Sequence, residues 1–315
     1  MIDYKPYTDR TPDYQYNNLL KDIDENGKDK MPIHARLAQN QNSGHQNSRE
    51  VTGKMLSYDM TNGFPVLTGR NLRKPFFGAI GELIGFLNGA TTLEELESFG
   101  CPRIFWQDWV TKEKCEIFGL KEHDLGRGSY GGSLGKFHME NGKTFDQVRA
   151  VMSQMQKKPF LRTHIITTWN PPYSMGDPEQ GAKREVVVAP CHGNFIHFVL
   201  FDEQKELEMT HTQRSADVPV GLQFNIIEWA ALGMMVAHIL GYKFTKYTHF
   251  LSNPHYYDIQ KESVDMLLSR EPRPFPTVRL EPNREIKDLK DFRPEDFILD
   301  DDYEPHPWFK IPTPN

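Results

Sequence analysis

Helical and strand patterns alternate along this 315-residue chain, the mixture expected of an α/β protein. Three observations carry that prediction. Apolar residues recur at helical spacing at Phe76, Phe77, Ile80, Leu83, Ile84 and Leu87, and again at Phe145, Val148, Val151, Met152 and Met155. The run from Ile226 to Leu240 is apolar on most faces, so it reads as a helix buried in the core and stopped by Gly241. Short strand candidates precede and separate these: Lys54 to Asp59, Thr163 to Trp169, and the apolar stretch carrying Cys191 and His192.

In chain order, residues 1–50 are rich in Asn, Gln, Asp and Lys, with Leu19 and Leu20 inside a short candidate helix. The polar run from His34 to Arg49 reads as a loop or mobile arm. The strand from Lys54 is followed by the turn Asn62-Gly63-Phe64-Pro65 and then Val66-Leu67-Thr68. In the helical pattern over 75–98, Glu82 falls at the edge of the apolar stripe, either a surface group, which the rarity of buried acids favours, or a partly buried functional carboxyl. The segment between Asn170 and Pro190 is long and full of Pro and Gly, an extended loop that carries Arg184.

The totals exclude several classes. A net charge of −6 gives no basic surface for tracking nucleic acid or an anionic membrane, so any phosphate is held by a local arginine cluster. Three cysteines, Cys101, Cys115 and Cys191, are too few and scattered for a disulfide framework or a zinc site. No stretch approaches the apolar length of a membrane span and the amino terminus lacks an apolar core, so a cytoplasmic protein without a metal is expected. The length allows one large domain or two ordinary ones.

Chemistry concentrates between Ala189 and Asn225. A cysteine there stands beside a histidine, with an arginine, a serine, an aspartate and an asparagine on the strand and turn that follow. A thiol becomes a nucleophile as thiolate, which a cation such as Arg214 favours. Arginine followed by serine offers a planar fork of donors plus a hydroxyl, the set that grips phosphate. Taken alone, a cysteine such as Cys191 in an apolar strand is more often the inert buried thiol common in cores.

The motifs of this segment resemble the thymidylate synthase family: Pro190-Cys191-His192, then Gln213-Arg214-Ser215-Ala216-Asp217, then Gly221-Leu222-Gln223-Phe224-Asn225. Further matches are the order from Lys54 to Thr68, which resembles the family's early hairpin, Glu82-Leu83-Ile84-Gly85-Phe86-Leu87-Asn88-Gly89, the aromatic Trp106 to Trp109, Asp124 to Gly131 with Tyr130, and His255 with Tyr257. The resemblance runs from about Lys54 to the end. It implies one catalytic domain over 51–315 behind a polar arm over 1–50. The implied fold is a large mixed sheet layered with helices, whose exposed face packs on a second copy in a homodimer.

It also implies the site. Cys191 would add to C6 of a uracil nucleotide, with Glu82 relaying protons, Tyr130 associated with loss of the C5 proton, and His192 beside the thiol. Asn225 would select the base. Gln213, Arg214, Ser215, Arg162 of a partner copy and Arg49 would hold the nucleotide and its phosphate, and His255 and Tyr257 the sugar. Trp106, Trp109, Asp217, Val188, Gly221 and Phe224 would line the site of the co-substrate, 5,10-methylenetetrahydrofolate. The partners implied are thus a pyrimidine nucleoside monophosphate and a reduced folate. The chain departs from the family pattern in having only Arg162 where two arginines stand, Ser252-Asn253 for Gly-Asp, and the ending Lys310-Ile311-Pro312-Thr313-Pro314-Asn315. A tail that shields the site from water gives methyl transfer; one that admits water gives a 5-hydroxymethyl nucleotide and tetrahydrofolate.

Overall fold

The computed structural model describes residues 2–30, 47–139 and 141–313. A five-stranded mixed sheet forms one layer, in the spatial order Lys54–Asp59, Lys243–Leu251, Glu206–Gln213, Phe195–Phe201 and Ile165–Ile166. Lys243–Leu251 runs parallel to Glu206–Gln213, and the other neighbours are antiparallel. Strict burial alternation along Glu206–Gln213 sends Leu207, Met209, His211 and Gln213 inward.

The inner face is covered by the helix Gly221–Leu240. Apolar residues occupy nearly its whole circumference, and Trp229, Leu232 and Met235 have no exposed surface. It lies close on the sheet because residue 233 is glycine: a Cβ there would stand 2.2 Å from the Phe244 ring. Gly241, at φ 72°, closes it with its N–H on the His238 carbonyl. The helix Arg73–Leu87 packs against it and buries Phe76, Ile80, Leu83, Ile84 and Leu87 of the predicted stripe together with Glu82, while Phe77 is exposed.

The two parallel strands leave the first sheet together. Glu206–Gln213 continues through Arg214 and Ser215 into Ala216–Asp217, and Lys243–Leu251 through Ser252 and Asn253 into Pro254–Tyr257. These short continuations pair in parallel inside a second, four-stranded sheet with Ser48–Glu50 and Lys28–Lys30. The seam between the sheets is stitched by Ser252 N–H on the Gln213 carbonyl and Ala216 N–H on the Asn253 carbonyl.

Several sequence expectations change. Val66-Leu67-Thr68 forms no hairpin: all three are buried, but Phe64 N–H goes to the Pro276 carbonyl rather than to a neighbouring strand. The strand expected over Thr163 to Trp169 is only Ile165–Ile166, because Thr167 and Thr168 spend their hydroxyls on the Asn194 and His192 carbonyls and leave the sheet register. Phe145 lies outside the helix Gln147–Lys157, in a two-residue exposed strand. The 171–187 loop contains a helical turn, Pro171–Ser174, started by its prolines. The long helix begins at Gly221 rather than at 226, where Asp217 accepts from Val220 N–H and turns the chain. At that length it is apolar enough to cross a bilayer, contrary to the expectation from sequence, yet 83% of its most apolar stretch is buried inside the protein.

The amino-terminal region also differs from a free arm where it is described. Gln15–Asn26 is a helix that sends Tyr16, Leu19, Leu20 and Ile23 into the main core. Tyr16 Oη donates to the Val218 carbonyl and accepts from Gln223, so this helix supports the start of Gly221–Leu240. The polar run lies largely outside the described residues, which resume at residue 47. Because Leu20 is fully buried, Leu20→Ala is expected to destabilise the protein by about 2–5 kcal/mol in urea unfolding. A loss within about 0.5 kcal/mol, the usual range at exposed positions, would show that the helix is not part of the cooperative core.

Candidate functional site

Cys191 and His192 do not lie on a strand. They occupy a bend that precedes Phe195–Phe201, and the cause is Gly193. Its φ is 68°, its N–H goes to His211 Nε2 at 2.7 Å, and a Cβ would stand 2.6 Å from the Trp229 ring. The bend brings the Cys191 main chain to the seam, where its carbonyl accepts from Arg214 N–H at 2.9 Å and its N–H donates to Tyr130 Oη at 2.7 Å.

Arg214 closes around this bend. Its Nε donates to the Pro190 carbonyl and its Nη2 to the Ala189 carbonyl, both at 2.8 Å, and Nη2 stands 3.6 Å from Cys191 Sγ. Among the described residues none accepts from Nη1, which leaves two N–H donors for an anion. Cys191 is half-buried, whereas Cys101 and Cys115 are buried and burial pushes both their thiols up.

The wall behind the thiol is aromatic and neutral. Tyr130 stacks on Phe86 at 4.6 Å and its ring lies 4.4 Å from that of His192. Burial raises the Tyr130 hydroxyl far above its ordinary value. His192 Nδ1 accepts from Trp229 Nε1 at 3.1 Å, which places the imidazole proton on Nε2. Burial and the nearby Arg214 charge lower His192 to about 3, so it is neutral at physiological pH.

Glu82 is not at the surface, where its spacing alone would put it. It accepts from Trp106 Nε1 at 2.5 Å and is buried, and desolvation raises its carboxyl. Beside it is a residue the sequence reading missed. Glu228, one turn after Asn225 on the long helix, is pushed well above the carboxylate range by burial and by Glu82. A lone acid inside an otherwise apolar helix, three residues from a candidate base-reading asparagine, was the available signal.

Asn225 lies between Gln213 and Glu228. Gln213 Nε2 donates to Asn225 Oδ1 at 2.9 Å, and Asn225 Nδ2 donates to Glu228 Oε2 at 3.3 Å. Phe224, on the same first turns, packs 5.5 Å from Phe105 and lies near the buried Arg70, whose guanidinium also sits 4.7 Å from the Trp308 ring. Arg70 too escaped the sequence reading.

Across the seam, Asp217, His255 and Tyr257 stand on the paired strands of the second sheet, with Asp217 opposite His255. The Asp217 carboxylate accepts from Gln260 Nε2 at 3.1 and 3.2 Å, and that nitrogen also reaches the Pro312 carbonyl at 3.1 Å. Gly221 opens the long helix, Val188 is half-buried against the core, and Trp109 is a partly buried ring near Lys114. Arg49 is turned to other work: it donates to the Asp24 carbonyl and pairs with Asp29 at 2.8 Å. Arg162 is exposed just before the edge strand Ile165–Ile166. Arg184 points to the Val186 and Val187 carbonyls, over the Phe118 ring.

Cys191, His192, Tyr130, Glu82, Trp106, Gln213, Arg214 and Asn225 therefore form one connected cluster. It offers a thiol, an arginine with donors to spare, an amide and two buried carboxyls whose hold on a proton is strengthened by burial. Among the described residues no group of three or more His, Cys, Asp or Glu side chains is arranged to hold a metal ion. A family model described as thymidylate synthase matches residues 14–314, and so takes in the first helix as well as the motifs that begin near Lys54.

The exposure contrast among the thiols is directly measurable. Brief treatment of the folded protein with iodoacetamide, read by peptide mass, is expected to label Cys191 well before Cys101 or Cys115. Equal labelling of all three would contradict the described burial.

Proposed function

We infer the reaction from the family: the chain belongs to the thymidylate synthase family, whose members are folate-dependent enzymes that transfer one carbon to C5 of a pyrimidine nucleotide. Within that chemistry our reading is methylation of dUMP to dTMP, with dihydrofolate as the second product. The observation that carries it is the Cys191 thiol held in a bend 3.6 Å from the Arg214 guanidinium, with the Asn225 amide in the same cluster.

In this reading Cys191 Sγ adds to C6 of the uracil ring, and the electron pair of the C5–C6 bond moves toward C5 and O4. Covalent addition divides one difficult substitution into easier steps. Burial raises the Glu82 carboxyl, which suits it to pass a proton to O4, directly or through water. Asn225 keeps one Oδ1 lone pair and one Nδ2 hydrogen beyond its protein partners, the complement of uracil N3–H and O4. After the carbon is added, C5 loses its proton near Tyr130, and the C6–S bond breaks as the thiolate leaves. Arg214 and Ser215 hold the 5′-phosphate, and His255 and Tyr257 the sugar.

Asp217, with Phe224, Trp106 and Val188 as apolar walls, fits the pterin of 5,10-methylenetetrahydrofolate: a half-buried carboxyl accepts from ring N–H groups while the walls cover the ring faces. When bound, that co-substrate supplies both the one-carbon unit and the hydride that reduces it. The methyl reading is favoured over hydroxymethylation by the end of the chain. Ile311 is buried and the Pro312 carbonyl is fastened to the same Gln260 that holds Asp217, an attachment suited to a tail that shields this side of the site from water.

The enzyme acts as a homodimer in this reading, with Arg162 of the partner subunit reaching the phosphate. Support comes from the outer sheet face, where Met55, Phe250, Thr212 and Phe195 stand opposite one another in register and the three apolar side chains are exposed. Incubation of the enzyme with methylenetetrahydrofolate and dUMP, UMP, dCMP or CMP, with products resolved by mass, tests the whole reading. The expected products are dTMP and dihydrofolate from dUMP, with Cys191→Ser lowering turnover on the order of a thousandfold or more. A 5-hydroxymethyl nucleotide with tetrahydrofolate would replace the methyl reading, and full turnover by Cys191→Ser would remove the covalent step.

A further inference from the structure

We propose that Glu228 is a positioning residue that fixes which end of the Asn225 amide faces the base, so that the site accepts a 4-oxo pyrimidine nucleotide and rejects a 4-amino one. The inference rests on the uracil reading above and identifies what enforces it.

An asparagine amide reads a base only as well as its orientation is held, because turning it over exchanges donor and acceptor. As placed, Asn225 presents its remaining lone pair on Oδ1 and its remaining hydrogen on Nδ2, the complement of uracil. Turned over, it would offer a hydrogen where N3 lies and a lone pair where the C4 substituent lies, the complement of cytosine. Nothing in the amide itself prefers one orientation.

Its two protein partners do. On one side, Gln213 cannot turn: its Nε2 donates to the Ser215 carbonyl at 2.9 Å, which only accepts, and its Oε1 takes His249 Nε2–H at 3.0 Å. Gln213 therefore shows a hydrogen to Asn225. On the other side, Glu228 Oε2 receives Asn225 Nδ2 at 3.3 Å. A turned amide would set oxygen against oxygen at Glu228 and nitrogen against nitrogen at Gln213, with both contacts buried.

The protonation of Glu228 does not undo this. Its second oxygen, Oε1, is buried without a hydrogen-bond partner among the described residues and is the atom able to carry the proton held beside Glu82. Oε2 then accepts from Asn225 whether the group is acid or carboxylate. His192 Nδ1, 3.7 Å from Oε2, is already occupied by Trp229 Nε1–H and offers no competing proton.

The test compares dUMP with dCMP as substrates of the full-length enzyme with methylenetetrahydrofolate, for the wild type, Glu228→Gln and Glu228→Leu. A glutamine can donate as well as accept, and a leucine does neither, so each releases one of the two holds on the amide. The kcat/KM ratio of dUMP over dCMP is expected to fall on the order of tenfold in both variants, the effect of one buried hydrogen bond. Thermal unfolding measured alongside separates this from a packing role, which would lower stability and leave the ratio unchanged. An unchanged ratio in either folded variant overturns the proposal, so a failure of one variant to fold leaves the other to decide. A wild-type enzyme that ignores dUMP, or prefers dCMP, refutes the uracil reading itself, a result distinct from an unaltered ratio in the variants.

Discussion

The site depends on one ionic contact with the main chain: the guanidinium of Arg214 grips the carbonyls of Ala189 and Pro190. Charge-assisted bonds to carbonyls are stronger than neutral ones and fix direction as well as distance. Here they hold a bend, not a strand, in place beside the seam where two parallel strands pass from one sheet to the next. The backbone of Arg214 adds to the hold by donating to the Cys191 carbonyl and to Asn194 Oδ1. The nucleophile and the anion-binding group thus position each other.

Behind this contact is a core that is polar yet carries little charge. Burial keeps His192, His211 and His249 neutral, and their tautomers follow from their neighbours. His211 accepts the Gly193 N–H at Nε2 and so turns its proton to Tyr247 Oη, while His249 gives its proton to Gln213. Isolated buried charges would be costly, and desolvation accordingly raises the Glu82 and Glu228 carboxyls toward their neutral form. A network with so few free choices sets the direction of every hydrogen bond along it, which is what recognition of a base by an amide requires.

The ends of the chain serve the same centre. The first helix reaches Gln223 and Val218 through Tyr16, at the start of the helix that carries Asn225. The last described residues reach Gln260 and through it Asp217. Segments that look peripheral in composition therefore brace the candidate site from two sides.

Periodicity made the helices over 73–87 and 147–157 and the strand Lys54–Asp59 legible, since each alternates apolar and polar residues with its own period. The motifs around Cys191, Arg214 and Asn225 were legible because the chemistry needs those residue types in that order. Other features were not. Gly193 turned an apolar run out of the sheet, the start of the long helix was set by the Asp217 side chain, and Arg49 was claimed by Asp29 and the Asp24 carbonyl. The sequence by itself determined the family, the classes of element and the reactive residue types, all of which are properties of local order along the chain. Only the tertiary structure decided that Glu228 lies beside Glu82 and which way the Asn225 amide points. Those depend on which groups from distant segments share a space without water, and spacing along the chain does not encode that.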